Sequence, residues 1–213
     1  PSSAVWGGRA CEFVQLKRQH LVPGLVEAQS QLGVVEVGLE SETRNDSGSG
    51  DPVRSGLVVV DAYNPRSTLI AIQRTHGVTS TVVAPNGGLF SGVGGWVDLA
   101  GDSQAAAVDE RKLAQFASLK HGESRAEALL QLKEAIEDGL DFRRNRGAVD
   151  RNQRRSYIDG ASRADLAALS DVGGRRLPLV VRANRASDIE ALLRLRKELN
   201  LNLVISGGAE AWM

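Results

Sequence analysis

Gln29 and Gln31 stand two residues apart in Pro23-Gly24-Leu25-Val26-Glu27-Ala28-Gln29-Ser30-Gln31-Leu32-Gly33. Alternate residues of an extended strand face the same side, so this spacing projects two amides together from the strand's C-terminal end. That end is where open α/β sheets and barrels hold their active sites. A primary amide carries one carbonyl acceptor and two N–H donors, which suits it to hold a carboxylate or peptide group by hydrogen bonds. It is poorly suited to a transition metal, because a neutral amide oxygen is a far weaker ligand than imidazole or carboxylate.

Little else in the chain has the types and spacing that catalysis needs. Cys11 is the single cysteine, so neither an intrachain disulfide nor a zinc site built on two thiolates can form. Arg9 lies near it but no histidine does, and an inert thiol follows. His20, His76 and His121 are too widely spread for an H-x-H or H-E-x-x-H pair. His76 belongs to the last turn of a helix, where a partly charged imidazole complements the dipole, while His20 and His121 read as surface. The Gly-rich stretch 86–95 is followed by no G-K-[ST] and lacks G-x-G-x-x-G spacing, so its glycines read as tight turns rather than a phosphate cradle. Segment 142–155 carries Arg143, Arg144, Arg146, Arg151, Arg154 and Arg155. Only Phe142 at its edge is aromatic, and Asp141 and Asp150 dilute the charge, so it reads as a solvated surface and not an RNA site.

The composition narrows the partners. With 26 Lys+Arg against 26 Asp+Glu in 213 residues, no global field draws the protein onto nucleic acid or an anionic membrane. No run approaches the roughly 18 apolar residues of a membrane span, and the first residues lack the basic-then-apolar order of a signal peptide. A chain of this length can bury a substantial core without disulfides or structural metal.

The elements that must position the amides alternate between short β-branched runs and helix-like segments, which is the pattern of an α/β domain with a largely parallel sheet. Strands are predicted at 24–29, 56–60, 78–84, 95–99, 178–183 and 201–206. Asn64 before Pro65, with Gly77 at the far end, predicts a helix over 65–76. Ser124 with Glu127 and Ser187 with Glu190 read as capping boxes ahead of two further helices. Ser162 caps a shorter one over 161–169. Segment 40–55, rich in Asn, Asp, Ser and Gly, reads as a mobile loop.

Several of these stretches resemble the amidohydrolase superfamily, most closely its imidazolonepropionase-like and prolidase-like members. The family's first barrel strand typically reads P-G-[LF]-[IV]-D-x-H-x-H, which Pro23 to Gln31 resembles. Asn64-Pro65-Arg66-Ser67-Thr68 through Gly77-Val78-Thr79 is similar to the family's helix followed by G-V-T-T. Ala84-Pro85-Asn86-Gly87-Gly88-Leu89-Phe90-Ser91-Gly92 and Leu179-Val180-Val181-Arg182-Ala183-Asn184-Arg185-Ala186-Ser187-Asp188-Ile189 extend the likeness, which covers about Leu21 to Trp212.

The resemblance implies an α/β fold, a partial TIM-type (β/α) barrel with mostly parallel strands and with zinc or another divalent metal at its mouth. In such enzymes the metal activates water against C–N bonds of non-peptide or dipeptide amides. Here Gln29 and Gln31 fill the two histidine positions, Glu27 replaces the aspartate, and Arg182 stands where a later histidine belongs. No metal cofactor is therefore expected, since a guanidinium repels a cation. Gln29, Gln31, Asn64 and Arg182 remain as substrate-pocket candidates, and no catalytic residue is assigned. The expected function is a superfamily protein with a degraded metal centre and low or absent hydrolysis, or a non-catalytic binding or partner subunit on the same scaffold. Residues 1–20 would be the remnant of an N-terminal β-sandwich. Residues 21–213 would be an incomplete barrel, since Ile205 to Met213 resembles the family's sixth strand. The partners this suggests are a small-molecule or peptide ligand, a second copy of the chain or an active paralogue, with neither nucleic acid nor membrane. A periplasmic or secreted location is an implication of the resemblance only.

Overall fold

The computed structural model describes residues 2–6, 9–13, 15–48, 50, 52–120, 124–150 and 160–213. Near the N-terminus, β1 (Ser2–Trp6) and β2 (Arg9–Phe13) pair antiparallel as a two-stranded sheet of their own. The main sheet has six strands in the order β3 (Leu25–Ser30), β4 (Val78–Val83), β5 (Phe90–Asp98), β6 (Val108–Ser118), β7 (Leu179–Ala183) and β8 (Leu203–Gly207). β3 pairs parallel with β4, and β6, β7 and β8 are parallel in turn. β5 runs antiparallel to both β4 and β6, so five strands share one direction and one opposes them. The sheet curls strongly enough for its first and last strands to touch: Ser206 Oγ on β8 donates to Gln29 Oε1 on β3 at 2.6 Å. It is a curled half-barrel.

Helices cover the convex face. α3 (Arg125–Asp150), α4 (Arg163–Gly173) and α5 (Ala186–Leu199) bury Leu132, Ile136, Leu169 and Leu192 with Leu179 and Val181 of β7 in the main core. α1 (Thr68–Thr75) and residues of the loops around it cover β4 and β5 in a second cluster, where Ile70, Tyr63 and Val34 meet Val83 and Val97. A short helix, α2 (Gln104–Ala107), joins β5 to β6. The concave face has its own apolar patch of Val82, Ala84, Ala114 and Phe116, with Trp96, Leu113 and Val180 beside it. Alternation on β6 and β7 explains the division: Val180 turns inward while Leu179 and Val181 turn to the helices.

The predicted strands at 24–29, 78–84, 95–99, 178–183 and 201–206 correspond to β3, β4, the second half of β5, β7 and β8. The run 56–60 is no strand. Val58 makes one isolated bridge to Val93, and Val59–Ala62 form a 3₁₀ turn that buries Val59 and Val60. A short apolar run has no periodicity to distinguish these outcomes. β6 escaped prediction because its first half, Asp109-Glu110-Arg111-Lys112, is charged and exposed, and only its second half is buried.

Helix starts also differ in part. α1 begins at Thr68, capped by Ser67 Oγ accepting from Leu69 N at 3.3 Å. Asn64 instead closes a turn, its Oδ1 accepting from Arg66 N at 3.0 Å. Gly77 has the left-handed φ of 86° expected of it. Ser162 and Asp165 form a full capping box on α4. Ser124 caps the start of α3, with Glu127 N donating to its Oγ at 3.1 Å. Ser187 makes no cap, because α5 starts one residue earlier and Glu210 Oε2 accepts from Ala186 N at 2.9 Å. The segment expected as a mobile loop, 40–55, is packed where described: Asp46, Val53 and Ser55 have no exposed surface. Local composition could not foresee that Arg54 N would bond Phe90 O and that Val53 would join the core. Of the arginine-rich segment, α3 carries Arg143, Arg144 and Arg146 as exposed side chains beyond buried Phe142, and 151–155 lie outside the described residues. His121 also lies outside them.

Candidate functional site

Strand register builds the site in layers. Phe116, Val180 and Val204 pair across β6, β7 and β8 as an apolar layer on the concave face. Two residues further along, at the strands' C-terminal ends, Ser118, Arg182 and Ser206 pair in the same way. The period of two thus puts a polar rim directly above an apolar floor. Gln29 reaches this rim from the opposite edge of the sheet through its bond to Ser206.

The rim encloses a cavity of about 300 Å³, lined by Gln29, Asn86, Ser118, Lys120, Arg182 and Ser206 over Phe116 and Val180. A second recess of about 390 Å³ shares Gln29, Asn86, Arg182 and Ser206 with it and adds Gln31. Neither recess is lined by a carboxylate or an imidazole among the described residues.

Three of the four predicted residues therefore gather here. Gln29 and Arg182 line both recesses, and Gln31 lines the second. The two amides do not act as a matched pair, because Gln31 Nε2 donates to Asp46 Oδ2 at 2.6 Å while Gln29 turns to Ser206. Asn64 lines neither recess, and its Nδ2 donates to Glu36 Oε1 at 3.2 Å in the turn ahead of α1.

Five residues at the site lie outside the predicted set: Asn86, Ser118, Lys120 and Ser206 of the lining, and Asp46 behind Gln31. Lys120 follows β6, the strand whose charged first half concealed it, so nothing marked Lys120 as standing at a strand end. Ser206 became significant only through register with Arg182. Asp46 is fully buried, bonded to Gln31 and 3.6 Å from Arg44 Nη2, and its carbonyl accepts from Asn86 N at 2.7 Å. It therefore ties the first strand's end to the turn that forms the cavity's far wall. That turn holds Gly87 and Gly88 at φ of 86° and 67°, and a Cβ on Gly88 would lie 2.8 Å from Pro52 O. Gly87 and Gly88 do serve a tight turn, which borders the cavity, whereas Gly92, Gly94 and Gly95 lie inside β5 instead of in turns.

The donor set does not fit a divalent cation. The rim offers amide and hydroxyl oxygens beside an ammonium and a guanidinium, and the two cations oppose a third. Among the described residues no group of three or more His, Cys, Asp and Glu side chains is gathered to hold a metal ion. What the rim can do is hydrogen-bond and attract negative charge.

No family model matches the chain, and no curated protein does. A crystal structure of an amidohydrolase from Thermotoga maritima MSB8 is similar to it, with a TM-score of 0.76 and 19% identity. The match covers 99% of this chain and 60% of that one, so the chain spans less than two thirds of that neighbour. At that identity the likeness is one of fold, and the half-barrel with its helical cover is an amidohydrolase-like scaffold.

Proposed function

We propose that this chain is a superfamily relative of hydrolases that act on C–N bonds in non-peptide or dipeptide amides, with a degraded metal centre and little or no hydrolytic power. The observation that carries the reading is the Gln29–Ser206 hydrogen bond with Arg182 beside it, where a metal-binding mouth would need anionic or imidazole ligands. Hydrolysis of an amide needs an activated water and a proton acceptor, and among the described residues neither recess lined by Arg182 presents a carboxylate or imidazole to serve, Glu27 and Glu36 lining a separate recess. The finer likeness to imidazolonepropionase-like and prolidase-like members rests on the sequence segments already quoted.

Elemental analysis of the purified protein tests this. The expected content is well under one transition-metal ion per chain, with no turnover of dipeptides or acyl amides before or after zinc or manganese is added. The double variant Gln29→His/Gln31→His is expected to remain inactive, because Arg182 still opposes a cation and later ligands are wanting. Stoichiometric zinc that resists chelation, or metal-dependent turnover, would overturn the reading.

A second reading, a non-catalytic binding or partner subunit on the same scaffold, is favoured by the cavity itself. Donors, acceptors and an apolar floor converge there without a reacting group.

A further inference from the structure

We infer that the mouth cavity is an anion-binding site for a small molecule bearing a carboxylate or phosphate, gripped by Lys120 and Arg182. Both cations line the one cavity of about 300 Å³, and neither has a carboxylate partner among the described residues. Among the described residues no acidic side chain lines the cavity or the recess that shares Arg182 with it, and the carboxylates of Glu27 and Glu36 line a separate recess of about 560 Å³ that meets the cavity at Gln29. A concave wall with one sign of charge focuses its field on small counter-ions.

The geometry is specific to a bound group rather than to a charged rim in general. Arg182 sits between Ser118 and Ser206 in strand register, so its backbone is fixed on both sides by β6 and β8. From this fixed strand position the guanidinium can offer a planar fork to carboxylate or phosphate oxygens, and Lys120 adds a point charge. The hydroxyls of Ser118 and Ser206 and the amide of Asn86 can donate to the remaining oxygens. Phe116 and Val180 below supply an apolar floor for the carbon skeleton of the ligand. A cavity of this size lies at the lower end of those that take small molecules, which favours a compact metabolite over a polymer.

The inference deepens the reading of a mouth without a metal centre and rests on it. The test is calorimetric titration of the chelator-dialysed full chain with inorganic phosphate and, separately, with succinate. Arg182→Gln, Lys120→Gln and their double variant are titrated alongside, with Lys112→Gln, an exposed lysine midway along β6 that does not line the cavity, as control. Unchanged thermal melting verifies that the variants fold. We expect saturable binding of at least one anion, weakened about tenfold or more by either substitution and unchanged by the control. The tighter of the two anions identifies the chemical source of the charge.

Absence of saturable binding by both anions up to tens of millimolar overturns the inference, as does binding that the double variant leaves within about twofold. A metal-free protein that fails these titrations refutes the anion site alone. Stoichiometric zinc whose removal abolishes anion binding, with Arg182→Gln indifferent, refutes the metal-free mouth as well.

Discussion

Tyr63 shows how much one side chain can carry away from the mouth. Its ring is buried over Gly33, where a Cβ would lie 2.4 Å from Tyr63 Cε2, and its hydroxyl has no hydrogen-bond partner in the structure described. Burial pushes the phenol from its ordinary 10 up to about 12, against a smaller opposing effect of Arg74. The raised value means that the folded state holds its proton where the unfolded state releases it. Below pH 10 ionisation of the group has no effect on stability, and between pH 10 and 12 stability falls by roughly 2–3 kcal/mol as pH rises. Tyr63→Phe is expected to flatten that alkaline loss in denaturant titrations across pH 8–12. At pH 7 it should change stability by less than about 1 kcal/mol, because no hydrogen bond is lost. At the same scale, Gln29 was legible as a pocket residue because it ends a well-patterned strand. The commitment of Gln31 to Asp46 was not, since the two are brought together only by the packing of segment 40–55.

At the scale of elements, the helical cover depends on two close approaches. α3 crosses α4 at Gly139, where a Cβ would lie 2.6 Å from the backbone carbon of Leu169. Gly139→Leu should therefore force the helices apart and destabilise the protein by about 1–3 kcal/mol or more, read as a lowered urea midpoint. Asp165 at the start of α4 does two tasks: Oδ2 accepts from Ser162 N at 2.8 Å, and Oδ1 accepts from Gly56 N at 2.7 Å. Asp165→Ala is expected to cost about 1–3 kcal/mol, since it removes one half of the capping box and leaves Gly56 N unpaired in a half-buried loop. The cap was readable from Ser162 in sequence. Its second bond spans more than a hundred residues and had no local signal.

For the whole molecule, the curl is the decisive feature. β3 and β8 are the edges of the main sheet, joined through side chains by Gln29 and Ser206, and β3 exposes Leu25 and Val26 while β8 exposes Val204. Unpaired apolar edges are templates for further strands. Light scattering over a concentration series is expected to show association that Val26→Lys and Val204→Lys reduce. A mass that stays monomeric at every concentration would mean that the curl itself shields these edges.

The sequence by itself determined the α/β alternation, five of the six main-sheet strands, the Ser162 cap and the polar character of the first strand's end. Each of these is written in residues near one another, by periodicity or capping chemistry. Tertiary structure alone decided that β5 runs against the other five strands and that β6 joins them, that Asn64 stays outside the mouth, and that Lys120 and Arg182 share one cavity. Those facts depend on strand order and register, which join residues far apart in the chain and leave no pattern in either local segment.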